Sequence, residues 1–346
     1  MKRMKKITGS VLLLLCALCY AQAQDLNAYL PLLQAQTRTP QQNQQVFHLF
    51  RSAQDPATIF AAGASLVRIT PAKAYEPALL NQIISAENPL KAVFSAIILT
   101  SMGSAYEELS PLLQDALQSQ DPLLRAYAAG AYGLVNPADT THTTDIIRLY
   151  IFDPAFAQRA MNLLVQDSQS LFNLLKKASA DSDPQVRSAA ARWLGTLHTP
   201  QALAQLDKRA RKETDATVQT QLAMALATQP EEALALATKG LSLNYKKPAA
   251  TTYDLALGFM TGHSVNALKT AILSTRTNER INALRAAAYM AGVLANPDGF
   301  AYSSDRSFDI HLLKGLIPQI TALANNGSAE EKKYAQTALD QIEKLM

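Results

Sequence analysis

The stretch Asp183-Pro184-Gln185-Val186-Arg187-Ser188-Ala189-Ala190-Ala191-Arg192-Trp193-Leu194-Gly195 decides how this chain is read. Its opening pair suits the start of a helix. The carboxylate caps free N–H groups, and proline at N1 lacks only a donor that has no partner there. Behind the pair, Ala190, Trp193 and Leu194 fall on one stripe of a 3.6-residue helix. The pair recurs at Asp55-Pro56, Asn88-Pro89, Asp121-Pro122 and Asp153-Pro154, and the phase runs on through Asp215, Lys247-Pro248 and Asn278. The gaps are 33, 33, 32, 30, 32, 32 and 31 residues. A fixed period of this length marks a stacked solenoid, with room for one helix pair per unit.

With each mark as position zero, the first helices of the units overlay. Position +10 reads Ser65, Ile98, Ala131, Leu163, Trp193, Ala225, Leu257 and Ala288; position +11 reads Leu66, Leu99, Tyr132, Leu164, Leu194, Leu226, Gly258 and Tyr289. Only Ser65 and Gly258 break the apolar or aromatic pattern. Position +7 is mostly small (Ala62, Ser95, Ala128, Ala160, Ala190), which lets neighbouring helices approach closely. Second helices are expected at 111–119, 144–152, 200–212, 231–241 and 312–324. In the third of these, Ala202, Leu203, Leu206 and Ala210 line one side, while Gln201, Gln205, Lys208, Arg209 and Lys212 fall largely on the other. Short connections make each pair an antiparallel hairpin.

These patterns divide the chain into an export leader at 1–23, N-terminal capping helices at 24–54, a repeat array at 55–326 and a C-terminal capping helix at 327–346. Thr39-Pro40 reads as a cap followed by an N1 proline, with disorder the alternative for the glutamine-rich stretch around it. The segment 296–308 breaks the rhythm as a long insertion between the two helices of the last unit. It carries Phe300, Tyr302 and Phe308, a composition that fits poorly with disorder.

In the leader, Lys2, Arg3, Lys5 and Lys6 precede a short apolar run, and Ala21-Gln22-Ala23 supplies the small residues a signal peptidase needs. Cleavage before Gln24 is expected, giving a periplasmic or secreted product with no transmembrane segment. The precursor carries 32 basic and 28 acidic side chains. All four excess positives lie in the leader, so the remainder is near neutral and gives no reason to expect nucleic acid as a partner. Cys16 and Cys19 leave with the leader. The exported chain then has no disulfide, thiol nucleophile or thiolate ligand, and packing alone must hold it together.

Asp183-Pro184-Gln185-Val186-Arg187 with Ala189, Ala190, Leu194 and Gly195 resembles a HEAT repeat, closest to the short units named after phycobilisome lyases. Thr199-Pro200-Gln201-Ala202-Leu203 resembles that family's second-helix opening, and Asp121-Pro122-Leu123-Leu124-Arg125 is a further match. The phasing covers about Asp55 to Ala324. The family's arginine stands at Arg125 and Arg187 only; the corresponding places elsewhere hold Ile59, Ala92, Ala157, Gln219, Thr251 and Asn282. The resemblance implies an all-α, HEAT-like α-solenoid, a right-handed superhelix of antiparallel helix pairs with second helices on the concave face. Such proteins usually serve as scaffolds.

Catalytic signatures are missing from the sequence. The five histidines (His48, His142, His198, His263, His311) are scattered, with no His-Glu dipeptide for a HEAT-like di-iron hydroxylase and no pair at helical spacing for zinc. There is no Gly-x-Ser-x-Gly elbow and no glycine-rich phosphate loop. No cofactor, metal or enzymatic activity is therefore expected. Asp183 with Arg187 and Asp121 with Arg125 read as caps plus a ladder of side chains between units. Lys208, Arg209, Arg211 and Lys212 form the densest basic run, with Lys176-Lys177 and Lys246-Lys247 placed similarly. Cations collect at helix C-termini because they complement the dipole, which is the structural account of all three sets. The functional account joins them into a basic stripe. The leading expectation is a non-enzymatic scaffold binding a protein partner through its concave second-helix face. The alternative is a module for an anionic ligand or envelope polymer, using the basic helix ends with Phe300, Tyr302 and Arg306.

Overall fold

Six of the eight marks cap a helix with their own side chain. In this computed structural model Asp55 accepts from the N–H of Thr58, Asn88 from Leu90 and Lys91, Asp121 from Leu123 and Leu124, and Asp153 from Phe156. Asp183 accepts from Gln185, and Asp215 from Thr217 and Val218. The structure describes residues 26–35, 37–69, 73–85, 88–104, 109–296 and 305–345, and every element among them is helical. The fold is the expected all-α solenoid of helix pairs. The leader, Phe300 and Tyr302 lie outside the described residues.

The chain forms two compact units, Met1–Leu171 and Phe172–Met346. The first contains α1 (Leu26–Gln34), α2 (Pro40–Ser52), α3 (Pro56–Arg68), α4 (Glu76–Ser85), α5 (Pro89–Ser101), α6 (Leu109–Leu117), α7 (Pro122–Val135), α8 (Thr143–Leu149) and α9 (Pro154–Leu164). The division falls inside α10 (Ser168–Ala178). The second unit continues with α11 (Pro184–Thr196), α12 (Pro200–Ala210), α13 (Ala216–Ala227), α14 (Pro230–Gly240), α15 (Pro248–Phe259), α16 (Val265–Ile272), α17 (Thr277–Leu294), α18 (Arg306–Lys314), α19 (Ile317–Asn326) and α20 (Ala329–Glu343).

In the first unit α3, α5, α7 and α9 pack in sequence, and α3 also reaches α9. The buried alanines at +7 permit this approach, and a ring cluster fills the space enclosed. Phe60 lies 5.0 Å from Phe94, and the Tyr127 ring stands 6.1 Å from both and 6.2 Å from Phe156. First helices therefore form the inner layer of this unit, against the expectation of second helices on the inside. Ser65, the polar exception at +10, is buried because its hydroxyl donates to the Leu33 carbonyl at 2.8 Å and accepts from Arg38 at 2.9 Å. Thr39 forms a full capping box with Gln42 at the start of α2.

In the second unit α11, α13, α15 and α17 stack in turn, and α20 closes on α17. Gly195 shows how tightly they approach. A Cβ there would stand 2.9 Å from both Cα and Cβ of Ala225. The Gly195 carbonyl also accepts from Thr228 Oγ1 and Gln229 Nε2 at 3.0 and 3.2 Å. Gly258 is the exception at +11 for the same reason, since its Cβ would meet Tyr289 at 2.8 Å. Glycine to alanine inside a helix normally gains about 1 kcal/mol of propensity. Gly195→Ala should instead lose about 1–3 kcal/mol through overpacking, measured by urea unfolding.

Three sequence expectations fail. Asn278 lies inside α17, whose N-cap is Arg276. Counted from Arg276, positions +7, +10 and +11 are Ala283, Ala286 and Ala287, all buried, whereas Ala288 and Tyr289 are only partly so. Leu163 at +10 is 48% exposed, although Trp193 at the same position is 1% exposed. The helix expected at 312–324 is two helices, α18 and α19, parted at Gly315-Leu316. Pro318 in the first turn of α19 supplies no N–H and its ring obstructs the carbonyl four residues back, so α18 cannot run through.

Candidate functional site

The arginine at +4 makes one bond in common wherever it occurs. Arg125 Nη1 donates to the Ser119 carbonyl at 2.5 Å, and Arg187 Nη1 to that of Asp181 at 2.9 Å. Re-phased on Arg276, the last unit has Arg280 at +4, and its Nη1 donates to the Ser274 carbonyl at 2.6 Å. Gln219 takes the same place with Nε2 on the Glu213 carbonyl at 2.9 Å. Each side chain ties a first helix to the loop six residues before it. Arg187 also grips Glu213 as a fork, Nε to Oε2 at 2.9 Å and Nη2 to Oε1 at 3.1 Å, whereas Arg280 brings Nε and Nη2 onto the single oxygen Oε1 of Glu331. These are the rungs of the expected ladder.

A groove lies between the C-terminal turns of α10 and α12. It has a volume of about 420 Å³ and is lined by Asn173, Lys176, Lys177, Ala180, Gln205, Lys208 and Arg209. Gln205 was expected on the outer side of its helix. It is 8% exposed, because its Nε2 donates to Ser179 Oγ at 2.8 Å, and that hydroxyl in turn donates to the Lys176 carbonyl at 2.8 Å. Those bonds tie the two helix ends together, and Lys176 and Lys208 both line the space between them. No carboxylate lines the groove. The Glu213 carboxylate stands 3.9 Å from Arg209 Nη2, with both oxygens already held by Arg187.

The remaining basic residues separate from this set. Arg211 is bound in a fork by Asp207 at 3.0 and 3.2 Å, and the Tyr253 hydroxyl donates to the same carboxylate at 2.6 Å. Lys212 is exposed beyond the end of α12, outside the groove lining. Lys246 and Lys247 do not end a second helix: α14 stops at Gly240, and Lys247 is the N-cap of α15. Lys246 Nζ instead lies 5.5 Å from the Tyr245 ring. Arg306 is the first residue of α18, half-buried behind the Asp305 cap, and the nearby Phe308 is 56% exposed.

A second concavity, about 620 Å³, belongs to the first unit, where Leu134, Val135, Ala155 and the exposed Leu163 supply its apolar wall and Arg159 its charge. Among the described residues no three His, Cys, Asp or Glu side chains come together, and no helix is long and apolar enough to cross a membrane.

One buried charge escaped the sequence reading. Asp254 occupies position +7 of α15, has no exposed surface, and neither carboxylate oxygen has a hydrogen-bond partner. Arg285 Nη1 stands 3.3 Å from it, but that guanidinium donates to the Tyr245 carbonyl and Thr251 Oγ1, both at 2.7 Å. Burial pushes the Asp254 carboxyl well above the ordinary carboxylate range, outweighing the opposite pull of the Arg285 charge. A folded pKa raised above the unfolded value contributes stability at low pH that is lost as pH rises through the folded value. Asp254→Asn should therefore flatten the fall in stability that sets in as pH rises above the unfolded carboxylate value, about 3.9, read from urea midpoints between acid and neutral pH.

A sequence model for HEAT repeats matches residues 149–227. Residues 149–227 carry HEAT repeats. That match spans the units that begin at Asp153 and Asp183 and the first helix of the unit that begins at Asp215. No curated protein sequence matches the chain. Among solved structures, E. coli YibA is 11% identical, covers 99% of each chain and has a TM-score of 0.34. An engineered protein is 19% identical over 79% of this chain and 97% of its own, with a TM-score of 0.21. Human deoxyhypusine hydroxylase in complex with glycerol is 16% identical over 92% and 96%, with a TM-score of 0.20. Likenesses at these TM-scores carry no information on shared activity.

Proposed function

We propose that this chain is an exported, non-enzymatic HEAT-repeat scaffold, periplasmic or secreted, that binds a protein partner through its second-helix face. The observation behind this reading is the groove between α10 and α12, where Lys176, Lys177, Lys208 and Arg209 converge with no acid lining the space. Helix dipoles account for cations at either helix end, at about 0.3–1 kcal/mol each. They do not account for four of them facing one concavity, where each additional positive charge opposes the others. HEAT repeats elsewhere commonly serve as interaction scaffolds, and the leader at 1–23 motivates export.

The alternative, a module for a free anionic ligand or envelope polymer, draws on the same groove. It also calls on the 296–308 insertion, of whose described residues Arg306 stands apart from the groove lining. Crosslinking in cells from a photoreactive residue at position 204, on the exposed side of α12, should trap one saturable protein partner in the envelope fraction. Recovery of the chain in the cytosol, or turnover of a defined substrate by the purified protein, would reject the reading.

A further inference from the structure

We propose that the α10–α12 groove receives an acidic polypeptide segment, its carboxylates meeting Lys176, Lys177, Lys208 and Arg209 one by one. The inference rests on the scaffold reading and names the chemistry of the partner. Three features of the groove select spaced carboxylates over a compact anion such as phosphate.

Compact anion sites are built from backbone N–H groups, helix N-termini and open arginine forks. Here the opposite helix ends meet, since Lys176-Lys177 and Lys208-Arg209 occupy the last turns of α10 and α12. The partial negative charge of two C-termini disfavours a single dense charge placed between them. The only guanidinium lining the groove, that of Arg209, leans toward Glu213, and its Nε is buried without a hydrogen-bond partner. The other three cations are lysines, flexible point charges suited to separate monoanions.

The terminal carbonyls do not need the lysines. The Lys176 carbonyl accepts from Ser179 Oγ, that of Lys177 from Ala180 N, and that of Arg209 from Lys212 N and Glu213 N. The ammonium groups are left facing a groove without a carboxylate.

The test is fluorescence anisotropy of a labelled octaglutamate peptide with the full chain at low salt. Saturable binding that weakens as salt is raised is expected. Lys177→Glu/Lys208→Glu should weaken it at least tenfold, and Lys177→Gln/Lys208→Gln to a smaller extent. The charge-matched pair Lys269→Glu/Lys332→Glu, on α16 and α20, should change it less than twofold. Circular dichroism confirms that each variant is folded. Failure of the peptide to bind, equal weakening by both charge reversals, or displacement of the peptide by equimolar inorganic phosphate would overturn the proposal. If a crosslinked partner is trapped and the peptide does not bind, the scaffold reading stands and only this inference falls. Peptide binding with no cellular partner sinks the scaffold reading alone.

Discussion

Replacing Arg187 with alanine is expected to cost about 3–5 kcal/mol, the range for orphaning one member of a buried ion pair. Glu213 is the partner left behind, with its side chain 4% exposed and both oxygens in the Arg187 fork. Burial alone would raise the Glu213 carboxyl. The Arg187 bonds and the N–H groups of Asp215 and Thr214 outweigh it and hold the carboxyl below the usual range. A folded pKa lowered in this way contributes stability above the unfolded value, about 4.3, that disappears as pH falls through the folded one. The wild type should therefore lose stability in acid through this group, and Arg187→Ala should lose that acid-dependent portion. Arg187→Lys should recover little, because an ammonium cannot reproduce the fork. Arg187→Ala/Glu213→Gln should be less damaged than Arg187→Ala alone, since no orphan charge remains. Urea unfolding of the four proteins at neutral and acid pH measures all of this. Equal losses in Arg187→Ala and the double variant would show that removing Arg187 leaves no orphan charge at Glu213.

Trp193→Ala should cost a comparable 3–5 kcal/mol, roughly the span for emptying a large core site. The informative comparison is Leu163→Ala, at the same repeat position one unit earlier. Trp193 is buried between α11 and its neighbours, whereas Leu163 opens onto the concavity of the first unit. Its truncation should stay within about 0.5 kcal/mol, as for an ordinary surface site. Similar losses at the two positions would mean that the stripe is buried throughout and that α9 is covered like its fellows.

The repeat was legible because each unit starts its first helix with the same chemistry, and a side-chain cap leaves a mark in the sequence that packing cannot disguise. The reading slipped where that mark is missing. Arg276 begins α17 without a side-chain cap, and Asn278, two residues on, mimics one. The shift also hid Arg280, which matches Arg125 and Arg187 once the phase is restored. The cations of the candidate groove were legible as residues, but their sorting was not. Arg211 belongs to Asp207 at i−4, and Gln205 turns inward to Ser179, a partner 26 residues away that no local pattern specifies. Asp254 did leave a signal: an acid at a position that is mostly alanine or serine elsewhere.

Peptide-resolved hydrogen exchange of the native chain tests the repeat architecture most directly. Amides of α11, α13, α15 and α17 should exchange slowest, each protected block beginning two to four residues after its cap and giving way to fast exchange in the loops, at intervals close to the sequence period. Uniform exchange across 184–294, or protected blocks that ignore the capped starts at Asp183 and Asp215, would contradict the account.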